Sequence, residues 1–129
     1  MIVIDTHIWI WWVHDNAKLS LSAREVIQAN ESKVIGVSAI SCWEIAKLIE
    51  YNRLSLPCNL EDWFAQALNY PGIELLPLTP KISIESTNLS GFHKDPADQI
   101  IVATARINDC LLITADRKIL AYNGVETLT

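Results

Sequence analysis

Apolar positions along this chain fall into two alternating kinds of segment: short, nearly continuous runs, and longer stretches where they recur every three or four residues. The runs Met1 to Ile4, Val34 to Val37, Ile73 to Leu78, Leu111 to Thr114 and Val125 to Leu128 are short enough to read as strands. Where polar residues do not alternate within them, both faces should be covered. Between these runs the helical period predicts helices over Ser20 to Asn30, from Ser38 to about Asn52, over Leu60 to Asn69, from Pro80 toward Leu89 and over Pro96 to Asn108. A short helix follows from Asp116 to Tyr122. Punctuation agrees with the periods. Ser38 is placed to cap a helix, Pro71 and Gly72 to stop one, and Pro80 and Asp95-Pro96 to open two more, with Ser90 to Lys94 as a loop. Ile8 to Val13 is apolar on every side, so a short helix there must be covered by the core, by another subunit or by a partner. Strands alternating with helices predict an α/β fold, a three-layer α/β/α sandwich around a mostly parallel central sheet. At 129 residues it is expected to be one domain spanning residues 1–129.

That architecture sends four distant acids to one place. Asp5 and Asp116 follow strands one and four, so both sit at carboxyl ends of strands. Glu44 and Asp98 fall early in helices, and crossover helices run antiparallel to parallel strands, so their starts lie at the same edge. This is the edge where open α/β sheets bind ligands. Crowded carboxylates resist joint ionisation unless a cation neutralises them, and a cluster of hard oxygen ligands suits Mg²⁺ or Mn²⁺.

Each acid also has a plainer explanation. Asp5, Asp98 and Asp116 are all positioned to cap helices or favour a helix start. Glu44 shares a stripe with Ile40 and Leu48, so it needs a partner, either a base such as Lys47 or a metal. Asp98 aligns with Ile101, Val102 and Ala105 on an inward face. Asp95, directly before proline, is foremost an N-cap and could only support the ligands from behind.

Composition narrows the field. Ten basic against 15 acidic residues give a net charge of -5, which argues against coating nucleic acid by charge alone but leaves a nuclease open. Lys47, Lys94, Arg106, Arg117 and Lys118 are candidate phosphate contacts. Cys42, Cys58 and Cys110 match neither a disulfide framework nor a zinc site, so reduced thiols in a cytoplasmic protein are expected. No stretch reaches the length of a membrane span, and the start lacks the features of a signal peptide. His7 stands where a phosphoaspartyl phosphatase would carry its second acid, which argues against that mechanism. His7, His14 and His93 show no metal-ligand spacing and are expected on the surface or in loops. No nucleotide-binding glycine motif is present. The five tryptophans could stack bases, but their helical spacing favours core or interface positions.

Ile4-Asp5-Thr6-His7, Ser38 to Ile45, His93 to Asp98 and Leu112 to Asp116 together resemble the motifs of the PIN-domain family, in particular the VapC-like toxins of type II toxin-antitoxin systems. The resemblance runs over nearly the whole chain. It implies that Asp5, Glu44, Asp98 and Asp116 form the family's acidic quartet, which holds Mg²⁺ or Mn²⁺ and cleaves RNA. It also implies a hydroxyl at Thr114 near the metal, a cognate antitoxin and a homodimer. Gln99 departs from the family, standing where many relatives carry Arg, and Cys42 replaces a more usual aliphatic residue. A non-catalytic interaction module, or a nuclease of RNA processing, is the alternative.

Overall fold

The computed structural model describes residues 1–129. Five strands, β1 (Ile2–Ile4), β2 (Ile35–Ser38), β3 (Ile73–Leu76), β4 (Leu111–Ile113) and β5 (Thr127–Leu128), form one sheet in the order β3-β2-β1-β4-β5. Every pairing is parallel, with Ile2 opposite both Ile35 and Leu111. Seven helices connect and cover it: α1 (Thr6–Val13), α2 (Leu21–Ala29), α3 (Ala39–Glu50), α4 (Leu60–Ala67), α5 (Pro80–Ser86), α6 (Pro96–Ile107) and α7 (Arg117–Leu120).

Alternation along the central strand splits the core in two, since successive side chains of a strand point to opposite faces. Ile2 and Ile4 join Ile8, Trp9, Ile27, Val37, Ile45 and Trp63 on one side, while Val3 joins Ile101, Val102, Ala105, Leu112 and Ile119 on the other. The larger cluster is built around Trp9, fully buried, with the Trp63 ring edge-on at 5.0 Å. Truncating such a side chain to Ala removes about 3–5 kcal/mol.

Boundaries differ from expectation where local chemistry intervenes. β3 stops at Leu76 because Pro77 has no N–H to continue the ladder. α7 starts one residue later than predicted because Asp116 is its cap, accepting from the amides of Lys118 and Ile119, and it ends at Leu120 rather than Tyr122. α5 ends at Ser86, short of Leu89, and β5 pairs only over Thr127–Leu128. Between α4 and β3 the turn needs Gly72: its φ is +80°, and a Cβ there would lie 2.9 Å from the Asn30 carbonyl oxygen. Cys42, Cys58 and Cys110 are all free and partly buried, and no helix is long and apolar enough to cross a membrane.

The chain builds outward from β1 through β2 to β3, then crosses to the other side of β1 for β4 and β5. Connections leaving β1 and β4 therefore part in opposite directions and open a crevice above their carboxyl ends.

Candidate active site

Asp5 stands at the floor of that crevice, only 6% exposed. It caps α1 through a 2.7 Å bond from the Thr6 amide to Oδ1, and it accepts a second 2.7 Å bond from the Thr114 hydroxyl on Oδ2. Thr114 Oγ1 in turn accepts from the Asp116 amide at 3.0 Å, so the tips of β1 and β4 are tied through one hydroxyl. Capping and site membership are therefore not alternatives for Asp5.

Glu44 arrives from α3, anchored to the Thr6 hydroxyl, which donates to Oε1 at 2.5 Å and lies 2.8 Å from the Ser41 hydroxyl. Lys47 is not its partner; that ammonium pairs with Glu50 at 3.0 Å. Asp98 enters from the first turn of α6, whose N-cap is Asp95 accepting from the Asp98 amide at 3.0 Å. Asp116 turns in from the start of α7. All four acids, with Asp95, His7, Trp11 and Ala115, line one cavity of about 340 Å³.

No lysine or arginine neutralises any of the four acids: the ion pairs those cations make go to Asp15, Glu50 and Glu85. Their proton affinities respond accordingly. Burial, then the charges of Asp5, Asp95, Asp116 and Glu44, pushes Asp98 up to about 8. Burial pushes Glu44 up to about 7, with the Thr6 hydroxyl opposing and the neighbouring acids adding to the rise. Asp5 is raised by burial against the stabilising bonds from Thr114 and Thr6. Such a donor set fits a hard divalent cation. It is all oxygen, held by buried hydroxyls and amides, and Glu44 Oε2 and Asp116 Oδ2 accept no protein hydrogen bond.

One expectation needs correction. Arg106 does not reach the crevice; it lies at the opposite end of α6, bonded to Glu85 Oε1 at 2.7 Å and to the Gly124 carbonyl at 2.6 Å. Of the other candidate cations, Arg117 and Lys118 do lie beside the acids, lining with His93, Asp95, Asp98 and Asp116 an open groove of about 470 Å³. His7 and His14 are exposed and His93 lies in a loop, as expected, but two of the three make specific contacts. His14 Nε2 accepts from Trp63 Nε1 at 2.9 Å, and His93 Nε2 lies 3.0 Å from Asp98 Oδ2. Sequence spacing gave no sign of His93, because a loop rather than a shared helix face brings it to Asp98. The supporting hydroxyls of Thr6 and Ser41 were also missed; the one clue was their place directly beside elements carrying the acids.

A five-stranded parallel sheet with acids gathered over its central strands defines the class of protein, and a family model agrees: that of the PIN domain matches residues 2–125. The chain belongs to the PIN domain family. Among its relatives is Ribonuclease VapC22 of Mycobacterium tuberculosis, 30% identical over 129 residues, an alignment spanning 99% of this chain and 96% of that protein. Solved structures sharing the fold include a toxin-antitoxin complex from Klebsiella pneumoniae, with TM-score 0.70, 20% identity, and 100% and 97% of the two chains covered. Another is VapBC2 from Rickettsia felis bound to a DNA fragment from their promoter, with TM-score 0.71, 14% identity, and 99% and 98% covered.

Proposed function

We propose that the protein is a Mg²⁺- or Mn²⁺-dependent endoribonuclease that hydrolyses RNA phosphodiester bonds in the cytoplasm, as the toxin of a toxin-antitoxin pair. One observation carries this reading above the others: Asp5, Glu44, Asp98 and Asp116 line a single cavity in which no lysine or arginine pairs with them. The name of the relative from Mycobacterium tuberculosis supports the reaction, and the complex from Klebsiella pneumoniae supports the antitoxin.

Asp5 and Asp98 are the direct ligands in this reading, with Glu44 and Asp116 completing the set directly or through water. A bound divalent cation supplies a water nucleophile at neutral pH and neutralises charge gathering on the phosphoryl oxygens. Thr114 fixes the Asp5 carboxylate through Oδ2, and Thr6 fixes Glu44 through Oε1, so that both ligands are oriented before the ion arrives. Asp95 holds the first turn of α6, and with it Asp98, in place. Arg117 and Lys118, on the wall of the adjoining groove, steady the phosphate backbone leaving the crevice.

Trp11 lines the acid cavity, and Trp12 and Val13 are only partly buried, which makes α1 the surface for an antitoxin segment. The exposed apolar side chains Trp43, Leu75 and Leu78, close to the β3 edge of the sheet, supply area for a homodimer.

The test is purified protein with structured RNA, first in EDTA and then with Mn²⁺ restored. Cutting that appears only with the ion is expected. A protein that binds RNA but never cuts it under either condition is an interaction module instead.

A further inference from the structure

Resting on that reading, we propose that His93 is a nitrogen ligand of the same cation and makes the site prefer Mn²⁺ over Mg²⁺. The side chain is three-quarters buried and its Nε2 lies 3.0 Å from Asp98 Oδ2. Yet the geometry is not that of a hydrogen bond, and Nε2 is a buried nitrogen with no partner. A buried nitrogen left without a hydrogen bond beside a carboxylate is unfavourable unless the two atoms share a proton or a cation. The angle that rules out a hydrogen bond leaves the cation as the better fit. In an octahedron with bonds of about 2.1 Å, adjacent donor atoms are about 3 Å apart, which is the separation these two atoms keep. Asp116 offers the third atom, and all three donors lie within 4.8 Å of one another.

The imidazole is also held where it stands. The Phe92 ring packs edge-on against it at 4.5 Å, and Gln99 Nε2 donates to the His93 carbonyl at 3.1 Å. Gln99 thus ties the histidine loop to the first turns of α6, the segment that carries Asp98. Fixing ring and backbone together is what a ligand requires and an incidental loop histidine does not. Selectivity follows from the donor type. Carboxylate and water suit Mg²⁺ and Mn²⁺ alike, whereas a neutral imidazole favours a first-row transition ion over Mg²⁺.

Two measurements on the full chain test the proposal without reading RNA cleavage. In the first, Mn²⁺ is bound to protein carrying isotopically labelled histidine and pulsed electron paramagnetic resonance reads direct coupling to a ring nitrogen. The coupling should be present in the parent and in His7→Ala, whose residue lines the acid cavity, and absent in His93→Ala. In the second, calorimetric titration should show Mn²⁺ affinity falling at least ~10-fold in His93→Ala while Mg²⁺ affinity falls less than ~3-fold, with His93→Gln as a polar replacement giving the same split. Thermal melting in EDTA checks that each variant is folded.

Equal losses for the two ions would mean that His93 acts only by positioning Asp98, and the proposal fails. Mn²⁺ that binds the parent without nitrogen coupling, or with coupling that survives His93→Ala, overturns the assignment of His93 while leaving the nuclease reading intact. A parent that binds neither ion at the acids, with Asp98→Asn changing nothing, overturns both.

Discussion

The two edges of the sheet use the same side chains to opposite ends. At the amino edge, where α6 passes into β4, Glu85, Asp109 and Glu126 line a cleft of about 310 Å³ together with Arg106. Arg106 resolves the charge there by bonding Glu85 and the Gly124 carbonyl, and in doing so it clamps α5, α6 and the segment before β5. At the carboxyl edge one buried and three half-buried acids meet with no such clamp, and two of them are driven toward neutral pH or above. Acids with an internal counter-charge hold the fold together. Acids without one store unfavourable energy that folding alone does not explain, and in the proposed reading a divalent cation would discharge it.

The largest expected effect separates these roles at the crevice. Asp5→Asn and Asp98→Asn should each reduce metal-dependent RNA cleavage by more than ~100-fold, because each removes a charged ligand and leaves its shape. Asp98→Asn should not lower the melting temperature in EDTA, since the amide resembles the protonated acid that burial favours there, and Asp5→Asn should lower it only modestly, through the lost acceptor for the Thr114 hydroxyl. Cleavage rate and thermal melting of the same preparations check both halves. Undiminished cleavage would end the assignment of the site, and a collapse of the fold would make these acids structural like those of the other edge.

Metal removal and pH give the next effect. Glu44 and Asp98 have ordinary values of 4.5 and 3.8, and in the folded protein they lie at about 7 and about 8. The metal-free folded state therefore binds these protons more tightly than the unfolded chain does. Their contribution to stability is complete below the ordinary values and is lost as pH rises through about 7 and then about 8. In EDTA the melting temperature should fall across that window. Mn²⁺ at ~100 times its dissociation constant should add about 2.7 kcal/mol, and the gain should grow with pH because the ligands must lose their protons. A melting temperature that rises with pH in EDTA, or is indifferent to the ion, contradicts the comparison.

How much of this was visible in the chain follows from the range of each interaction. Strand ends, caps and the direction of crossover helices are local matters, and they sufficed to bring Asp5, Glu44, Asp98 and Asp116 to one edge. The order and context of the motifs sufficed for the family. Contacts between segments were less visible. The hydroxyl of Thr114 meets Asp5 across 109 positions, and only the pairing of β4 with β1 brings them together. His93 comes from an irregular loop whose path no periodicity encodes. The misassignment of Arg106 has a simpler cause. It lies eight residues beyond Asp98 on one helix, and at ~1.5 Å per residue that is about 12 Å down the axis, toward the wrong edge. The tryptophans divide for a reason that spacing does not carry. Trp9 and Trp63 face the core, whereas Trp43, next to Glu44 on α3, is 53% exposed.

A smaller effect sharpens the contrast inside the crevice. Thr114→Val keeps the size of a fully buried side chain but removes the hydroxyl that joins Asp5 Oδ2 to the Asp116 amide. Both carboxylates keep their charge and lose only their orientation. Mn²⁺ affinity and cleavage should each fall about tenfold, while Thr114→Ser should recover most of the loss. Full activity in the valine variant would show that the hydroxyl serves packing alone.

The smallest effect belongs to the paired edge, and it is best measured against its counterpart. Arg106→Ala removes a partly exposed ion pair and a bond to a backbone carbonyl, so it should lower stability by about 1 kcal/mol and leave RNA affinity unchanged. Arg117→Ala lies on the groove wall beside Asp116 and has no ion pair to lose, so it should leave stability unchanged. It should weaken RNA binding and flatten the salt dependence of affinity by about one released counterion. Denaturant melts and RNA titrations at several salt concentrations on both variants decide the matter. If Arg106→Ala weakens RNA binding as much as Arg117→Ala does, the substrate touches both ends of the sheet, and an acid's internal partner no longer tells structure from function in this protein.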